Sequence, residues 1–349
     1  MNISITKSET SRAHSVDIEN TPMGIHFTDH MFVCDYADGQ WVNPRIEPLA
    51  LIPIHPAAMA LHYGQAIFEG MKATQSADGT PLLFRPEENA ARLNFSARRM
   101  GMPEVPTDLF MEGLKAFVRT EKEWIPKKEG SALYIRPFMY ADEPFIGMRA
   151  STHYKFIIIG SPAGPFFSKP IRLYAETKFI RAAIGGTGEA KAAGNYAAAI
   201  LPTELAKKQG FDQVLWLDPV HFEYVQEVGT MNIFFKIGGK FITPDLNGAI
   251  LNGITRLSVI ALLRDMGYEV QERPLSMQEV VEAFRNGTLE EAFGAGTAVS
   301  IAPVEAIQFR DQLITFPKEA PVGNEVKAKL DAIKTQKKED TFGWIVPVR

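Results

Sequence analysis

Strand-like apolar runs and helix-like amphipathic runs are interleaved in both halves of the chain. That pattern leaves mixed, layered architectures of the α/β or α+β kind. "MFVCDYADGQWV" breaks at Asp38-Gly39 and "MKATQSADGTPLLFRP" breaks at Asp78-Gly79. Both read as hairpins, although the loops can exceed two residues. "RPEENAARLNFSARRMGM" reads as a helix, with Pro86 first, Glu87 and Glu88 in the opening turn and Gly101 past the end. "DLFMEGLKAFVRTEKEW" is a second amphipathic helix. "SALYIRPFMY" and "YKFIIIG" read as strands, the latter buried on both faces. "SPAGPFFSKP", residues 161–170, is dense in Pro, Gly and Ser and reads as a linker. It divides a smaller α/β domain, 1–160, from a larger one, 171–349. In the second, "QVLWLD", "FEYVQEV" and "NIFFKIGGKFITP" are strands, the last turning at Gly238-Gly239. "ITRLSVIALLRDMG" is a helix closed by Gly267, and "SMQEVVEAFRNG" is a helix capped by Ser276 with Glu279 in capping-box position.

The totals exclude several classes of function. A chain of 349 residues is long enough for two domains with their own cores. A net charge of -4 leaves no basic excess to meet nucleic-acid phosphates. The single cysteine, Cys34, permits no intramolecular disulfide and suits a reducing compartment. The first twenty residues hold no apolar signal core, and no apolar run approaches the roughly 18 residues of a membrane span. A cytoplasmic protein without membrane or nucleic-acid partners is expected.

"IGGTGEAKAAGNYAAAI" sets one lysine, Lys191, among residues with almost no side chain. A P-loop would need glycine before the lysine and Ser or Thr after it, whereas Ala190 and Ala192 stand there. Small neighbours leave room for a flat ring beside an amine that could form a Schiff base. Taken alone, the stretch is more simply a flexible Gly-Ala loop with a solvated lysine. Glu227 lies on an otherwise apolar strand, where a carboxylate needs a cation or donor. A protonated pyridine nitrogen is one partner that fits. "NGITR" opens a helix, and the N–H groups of Ile254 and Thr255 would offer a phosphate site. Each piece singly also fits an ion-paired strand residue or an ordinary cap. Together, an amine, a carboxylate for a ring nitrogen and a phosphate cradle are the parts needed for pyridoxal 5′-phosphate.

"EVGTMNIF", "FIT" and "LNGITR", spread over about thirty residues, resemble the signature of the class IV aminotransferases. The resemblance runs from "FTDHM" through "LHYGQAIFEGMKA", "FRPEENAARL", "LYIRP" and "KAAGNYA" to "FGAGTA", nearly the whole chain. It is similar above all to the branched-chain-amino-acid aminotransferase branch. D-amino-acid aminotransferases and aminodeoxychorismate lyases are the alternatives within the same fold. The resemblance implies a fold-type IV enzyme of two mixed α/β domains with the cofactor at their interface.

By that resemblance Lys191 is the Schiff-base lysine and the proton carrier between substrate Cα and cofactor C4′. Tyr196 matches the partner of the cofactor's phenolic oxygen, and Glu227 that of the ring nitrogen. Arg85 matches the phosphate-binding arginine, aided by the N–H groups of Ile254 and Thr255 and the hydroxyl of Thr297. The Thr297–Ala298 turn, Tyr134 and Arg136 match the groups that meet substrate carboxylates. Phe27, Tyr63 and Phe68 match the pocket for Leu, Ile or Val side chains. The implied partners are amino acids, 2-oxo acids including 2-oxoglutarate, and a second copy in a homodimer. Val299 and Ala302 replace a Cys-x-x-Cys pair present in some relatives, so that thiol switch is missing. His26, His30 and Cys34 recur at four-residue steps, but on a strand they span about 13 Å, too far for one ion. A nucleotide-binding loop around Lys191 and a non-catalytic cofactor carrier are the readings from other classes. The first predicts a colourless protein that binds ATP, the second a cofactor that no substrate consumes.

Overall fold

The computed structural model describes residues 2–165, 169–317 and 320–349. The chain divides into two units. The first comprises Met1–Phe166, Ala190–Gly194 and Asp331–Arg349; the second comprises Phe167–Glu189 and Asn195–Leu330.

A nine-stranded sheet builds the first unit. Its long members pair antiparallel in the order Gln40–Pro48, His30–Ala37, Tyr154–Ala163, Ala132–Ala141, Met71–Gln75 and Pro81–Phe84. Asp38 and Gly39 both take positive φ, 52° and 77°, the geometry that an Asp-Gly hairpin turn requires. The Asp78-Gly79 turn sits in a longer loop, between Gln75 and Pro81. Ala66–Phe68 adds to the flank of Ala132–Ala141 and carries Phe68.

The Pro86–Arg99 helix starts on proline, has Glu87 and Glu88 in its first turn and Arg98 and Arg99 in its last, and stops before Gly101 at φ 63°. Acid at the start and base at the end complement the helix dipole. With the Thr107–Thr120 helix it buries Leu93, Phe110 and Phe117 in one core with Phe32 and Phe156 of the sheet. The Phe110 and Phe156 rings stack at 5.8 Å.

The second unit also carries a nine-stranded sheet, and its connections are partly parallel. Ile171–Ala175 pairs parallel with Gln213–Leu217 and with Ser300–Phe309. Lys240–Thr243 pairs parallel with Val270–Glu272. Parallel neighbours need a crossover, and the helices Ala193–Lys208 and Ile254–Asp265 supply two of them. Gly238 and Gly239, at φ 56° and 80°, turn the Asn232–Ile237 strand into Lys240–Thr243. Ser276 Oγ accepts the Glu279 N–H at 3.0 Å, so the expected cap is formed.

Two features depart from the linear division expected from sequence. The Tyr154–Ala163 strand runs three residues into the expected linker, whose residues 166–168 lie outside the described set. Lys191 groups with the first unit instead of the second. The reason is local pairing: Ala192 bridges to Ile67, and the Phe68 N–H donates to the Lys191 carbonyl at 3.1 Å. Ala190 and Ala192, buried and small, join the first unit's core.

Of the His26, His30 and Cys34 series, His26 is exposed and the other two sit in different surroundings. His30 opens its strand and pairs through Nδ1 with Glu121, while its Nε2 accepts the Ser8 N–H at 2.8 Å. Cys34 is buried within the same strand. Among the described residues, no cluster of three or more His, Cys, Asp or Glu could hold a metal.

Candidate active site

Lys191 is half-buried, and its Nζ stands 4.9 Å from the centre of the Phe68 ring. Arg136 covers the same ring at 4.6 Å and donates from Nη2 to the Tyr134 hydroxyl at 3.0 Å. The first unit thus brings together four of the residues singled out in the sequence: Phe68, Tyr134, Arg136 and Lys191. Tyr134 and Arg136 project from the same face of one strand because they are two residues apart. Gly70 is required beside them, since a Cβ there would overlap the Tyr134 hydroxyl.

Electrostatics at the amine favour a reactive lysine. Removal from water pushes its pKa down to about 8, and the Arg92 guanidinium pushes the same way more strongly than Arg136 does. Glu69 and Tyr134 pull it back up. Arg136 Nε is buried and has no hydrogen-bond acceptor among the described residues. A guanidinium left with an unused buried donor is suited to an incoming carboxylate.

Arg85 precedes the Pro86–Arg99 helix in a left-handed conformation, φ 50° and ψ 47°, unusual for a residue with a long side chain. Its N–H donates to the Trp344 carbonyl at 2.7 Å, its guanidinium lies 5.3 Å from the Trp344 ring, and Nη2 reaches Glu88 at 3.2 Å. Strain of this kind persists where surrounding contacts hold it, often at ligand-binding positions.

In the second unit Glu227 is buried on the Val225–Val228 strand. Its Oε1 accepts the Leu251 N–H at 2.6 Å, and its Oε2 meets Arg181 Nε at 3.0 Å. A carboxylate offers about four acceptor positions, so it can serve several donors at once. Arg181 did not emerge from the sequence. It also donates to the Ala249 carbonyl at 2.8 Å and the Gly188 carbonyl at 3.1 Å, tying three segments together. The planar guanidinium spreads its donors over three nitrogens, which suits partners on separate segments. In the sequence Arg181 stands between Ile180 and Ala182, with no periodicity to mark it.

Gly253 caps the Ile254–Asp265 helix without a side-chain hydrogen bond. Its lack of a Cβ matters, because one would overlap the Asn232 side-chain oxygen. That helix therefore starts without a side-chain acceptor of its own, the arrangement an anion can complete. Ile254 and Thr255 are themselves buried.

Thr297 and Ala298 occupy the tight connection between Leu289–Gly296 and Ser300–Phe309, where Gly296 pairs with Ser300 and Ser300 takes φ 59°. Thr297 is half-buried and Ala298 exposed. Tyr196 lies half-buried in the first turns of the Ala193–Lys208 helix. Phe27 and Tyr63 expose 37% and 41% of their surface. Phe27 is held through its backbone, with Arg12 Nη2 donating to its carbonyl at 3.2 Å and to that of Thr28 at 3.0 Å.

Each unit offers features that fit pyridoxal phosphate: the first a lysine amine removed from water, the second a buried carboxylate paired with arginine and a glycine-capped helix start. Comparison with known proteins agrees. The amino-transferase class IV family matches residues 66–307. Branched-chain-amino-acid aminotransferase 2 of Bacillus subtilis (strain 168) is 48% identical over 339 residues, covering 95% of this chain and 93% of that protein. The crystal structure of the Escherichia coli branched-chain amino acid aminotransferase superposes with a TM-score of 0.74 at 26% identity, covering 92% of this chain and 99% of that one. That of the Thermobaculum terrenum enzyme, solved in its PLP-form, gives 0.71 at 24% identity over 91% and 98%. This chain is therefore a member of the class IV aminotransferases, with the fold-type IV architecture.

Proposed function

We propose that this chain transfers the amino group of L-leucine, L-isoleucine or L-valine to 2-oxoglutarate, giving the branched 2-oxo acid and L-glutamate in a reversible reaction. The observation that carries the reading is the half-buried Lys191 amine beside Phe68, Tyr134 and Arg136, with its proton held only to about pH 8. A general base works best when its pKa lies near the operating pH.

Bound pyridoxal 5′-phosphate supplies an electron sink that lets the Cα–H bond of the amino acid break. The protein's share is binding and proton management. Lys191 would hold the cofactor and, as a free amine, would take the Cα proton and return it. Glu227, paired with Arg181, would meet the ring nitrogen and favour its protonated form. Tyr196 would donate to the phenolic oxygen. Arg85, the N–H groups of Ile254 and Thr255 and the Thr297 hydroxyl would bind the phosphate. Tyr134, Arg136 and the Thr297–Ala298 backbone receive substrate carboxylates, and Phe27, Tyr63 and Phe68 receive the branched side chain.

A visible spectrum of the purified protein tests the reading. A yellow band that collapses on adding L-leucine without keto acid supports it. Collapse only with a D-amino acid moves the chain to the D-specific branch, and a protein that stays colourless with added pyridoxal phosphate overturns it.

The same reading makes the enzyme a cytoplasmic homodimer. Leu51, Ile146 and Met148 of the first unit are 100%, 69% and 96% exposed, apolar side chains that a second copy would cover. Among the described residues, no helix is long and apolar enough to cross a membrane. Sedimentation at micromolar concentration decides the oligomer: a monomer there removes that part.

A further inference from the structure

Asn89, Arg92 and Ser96 are spaced three and four residues apart, so they line one face of the Pro86–Arg99 helix. That face meets Glu69, which is completely buried. Arg92 Nε donates to Glu69 Oε1 and Nη2 to Oε2, both at 2.8 Å, and Asn89 Nδ2 donates to Oε2 at 2.7 Å. One helical turn on, Ser96 Oγ accepts the Lys191 N–H at 2.9 Å. From the other side Phe68, the neighbour of Glu69, donates its N–H to the Lys191 carbonyl. The same helix and strand thus hold both a buried ion pair and the backbone of the lysine.

Buried ion pairs are poor stabilisers, and apolar residues of similar volume often serve as well or better. Packing alone gives no reason for this pair here. Its position does: Arg92 and Glu69 are the strongest charged influences on the Lys191 amine, and they act in opposite directions. Arg136 and Tyr134 are the other groups that bear on it.

We propose that Glu69, Arg92 and Ser96 are positioning residues for Lys191, with Ser96 fixing its backbone and the Glu69–Arg92 pair setting the field at its amine. None of the three touches the reacting atoms in this scheme. The inference rests on Lys191 being the cofactor-bearing lysine. It states how this chain makes the freed amine able to take up and release a proton in its working range.

The test is a titration of the Lys191 amine in the full-length chain freed of cofactor, followed by the ¹³Cε NMR signal that disappears in Lys191→Arg. The wild-type midpoint is expected at about 8. Glu69→Gln leaves the guanidinium uncompensated, disfavours the charged amine and lowers the midpoint by about one unit or more. Arg92→Met leaves the carboxylate uncompensated and raises it by a similar amount. Arg92→Lys, which keeps the charge, stays close to wild type. A merely structural pair would move both charge-removing variants the same way or not at all, and either result overturns the proposal. If Arg92→Met yields no folded protein, the isosteric Glu69→Gln decides, with an unchanged or raised midpoint counting against it. If neither of these folds, Glu69→Asp decides: its shorter carboxylate compensates Arg92 less and lowers the midpoint, and an unchanged or raised midpoint overturns the proposal. Failure of the underlying reading shows separately, as colour developing in Lys191→Ala on addition of pyridoxal phosphate.

Discussion

Arg181 Nε and Glu227 Oε2 lie 3.0 Å apart, with side chains only 7% and 3% exposed. The pair explains how an apolar strand tolerates a carboxylate, since the guanidinium and the Leu251 N–H replace the water it has lost.

Removing either partner is therefore expected to be costly. Arg181→Met takes the guanidinium from a buried carboxylate, and a loss of about 3–5 kcal/mol is expected, measured by urea unfolding. Glu227→Gln is expected to fold but to lower kcat about tenfold or more, through a weaker charge on the cofactor's ring nitrogen. Full activity in that variant would show that another carboxylate serves the ring.

Lys191→Ala is expected to bind pyridoxal phosphate without a covalent link and to lose transamination. Mass spectrometry after borohydride reduction checks the link, since wild type gains the cofactor's mass and the variant does not. An unchanged transamination rate would falsify the assignment of Lys191.

Arg136 keeps a buried Nε with no acceptor among the described residues while its Nη2 is used by Tyr134. Arg136→Met is expected to raise KM for 2-oxoglutarate by roughly tenfold or more, the value of a charged hydrogen bond. The half-reaction with L-leucine is expected to suffer less, because only the dicarboxylate needs a second cation. Equal losses with both substrates would mean that Arg136 does not discriminate them.

Cys34 is buried, and burial pushes its thiol up to about 12. With almost no thiolate at neutral pH, the native protein is expected to resist a thiol reagent until denaturant is added. Stoichiometric labelling of the native chain would show that its strand opens on the timescale of the reaction.

Glu143 accepts from Arg149 at 2.5 and 3.1 Å and from the Thr152 N–H at 2.7 Å. Arg149 first, and the Thr152 N–H after it, hold the carboxyl down to about 2. Its contribution is thus fully present above the ordinary value of 4.5 and is lost as pH falls toward 2. Protection of the 143–152 loop amides from hydrogen exchange, relative to their intrinsic rates, is expected to fall across that window in wild type, and in Arg149→Ala to be lower already at neutral pH. A loop indifferent to both changes would assign the anchoring elsewhere.

Much of the local structure follows from residues that act over a few positions. Pro86, Glu87 and Gly101 bound their helix, Ser276 and Glu279 cap theirs, and Asp38-Gly39 turns its hairpin, because caps and turns are decided by neighbours in sequence. Lys191, Glu227 and the Gly253 helix start could be singled out for the same reason: an amine among alanines and a carboxylate among apolar residues are conspicuous in one dimension. What folding alone decided is which distant groups answer them. Arg181 and Glu227 belong to segments well separated along the chain, and Glu69 and Arg92 lie still farther from Lys191 in sequence. No periodicity links such residues. Burial does, because a charge taken out of water must find its partner in space, and the sheets determine which partners come within reach.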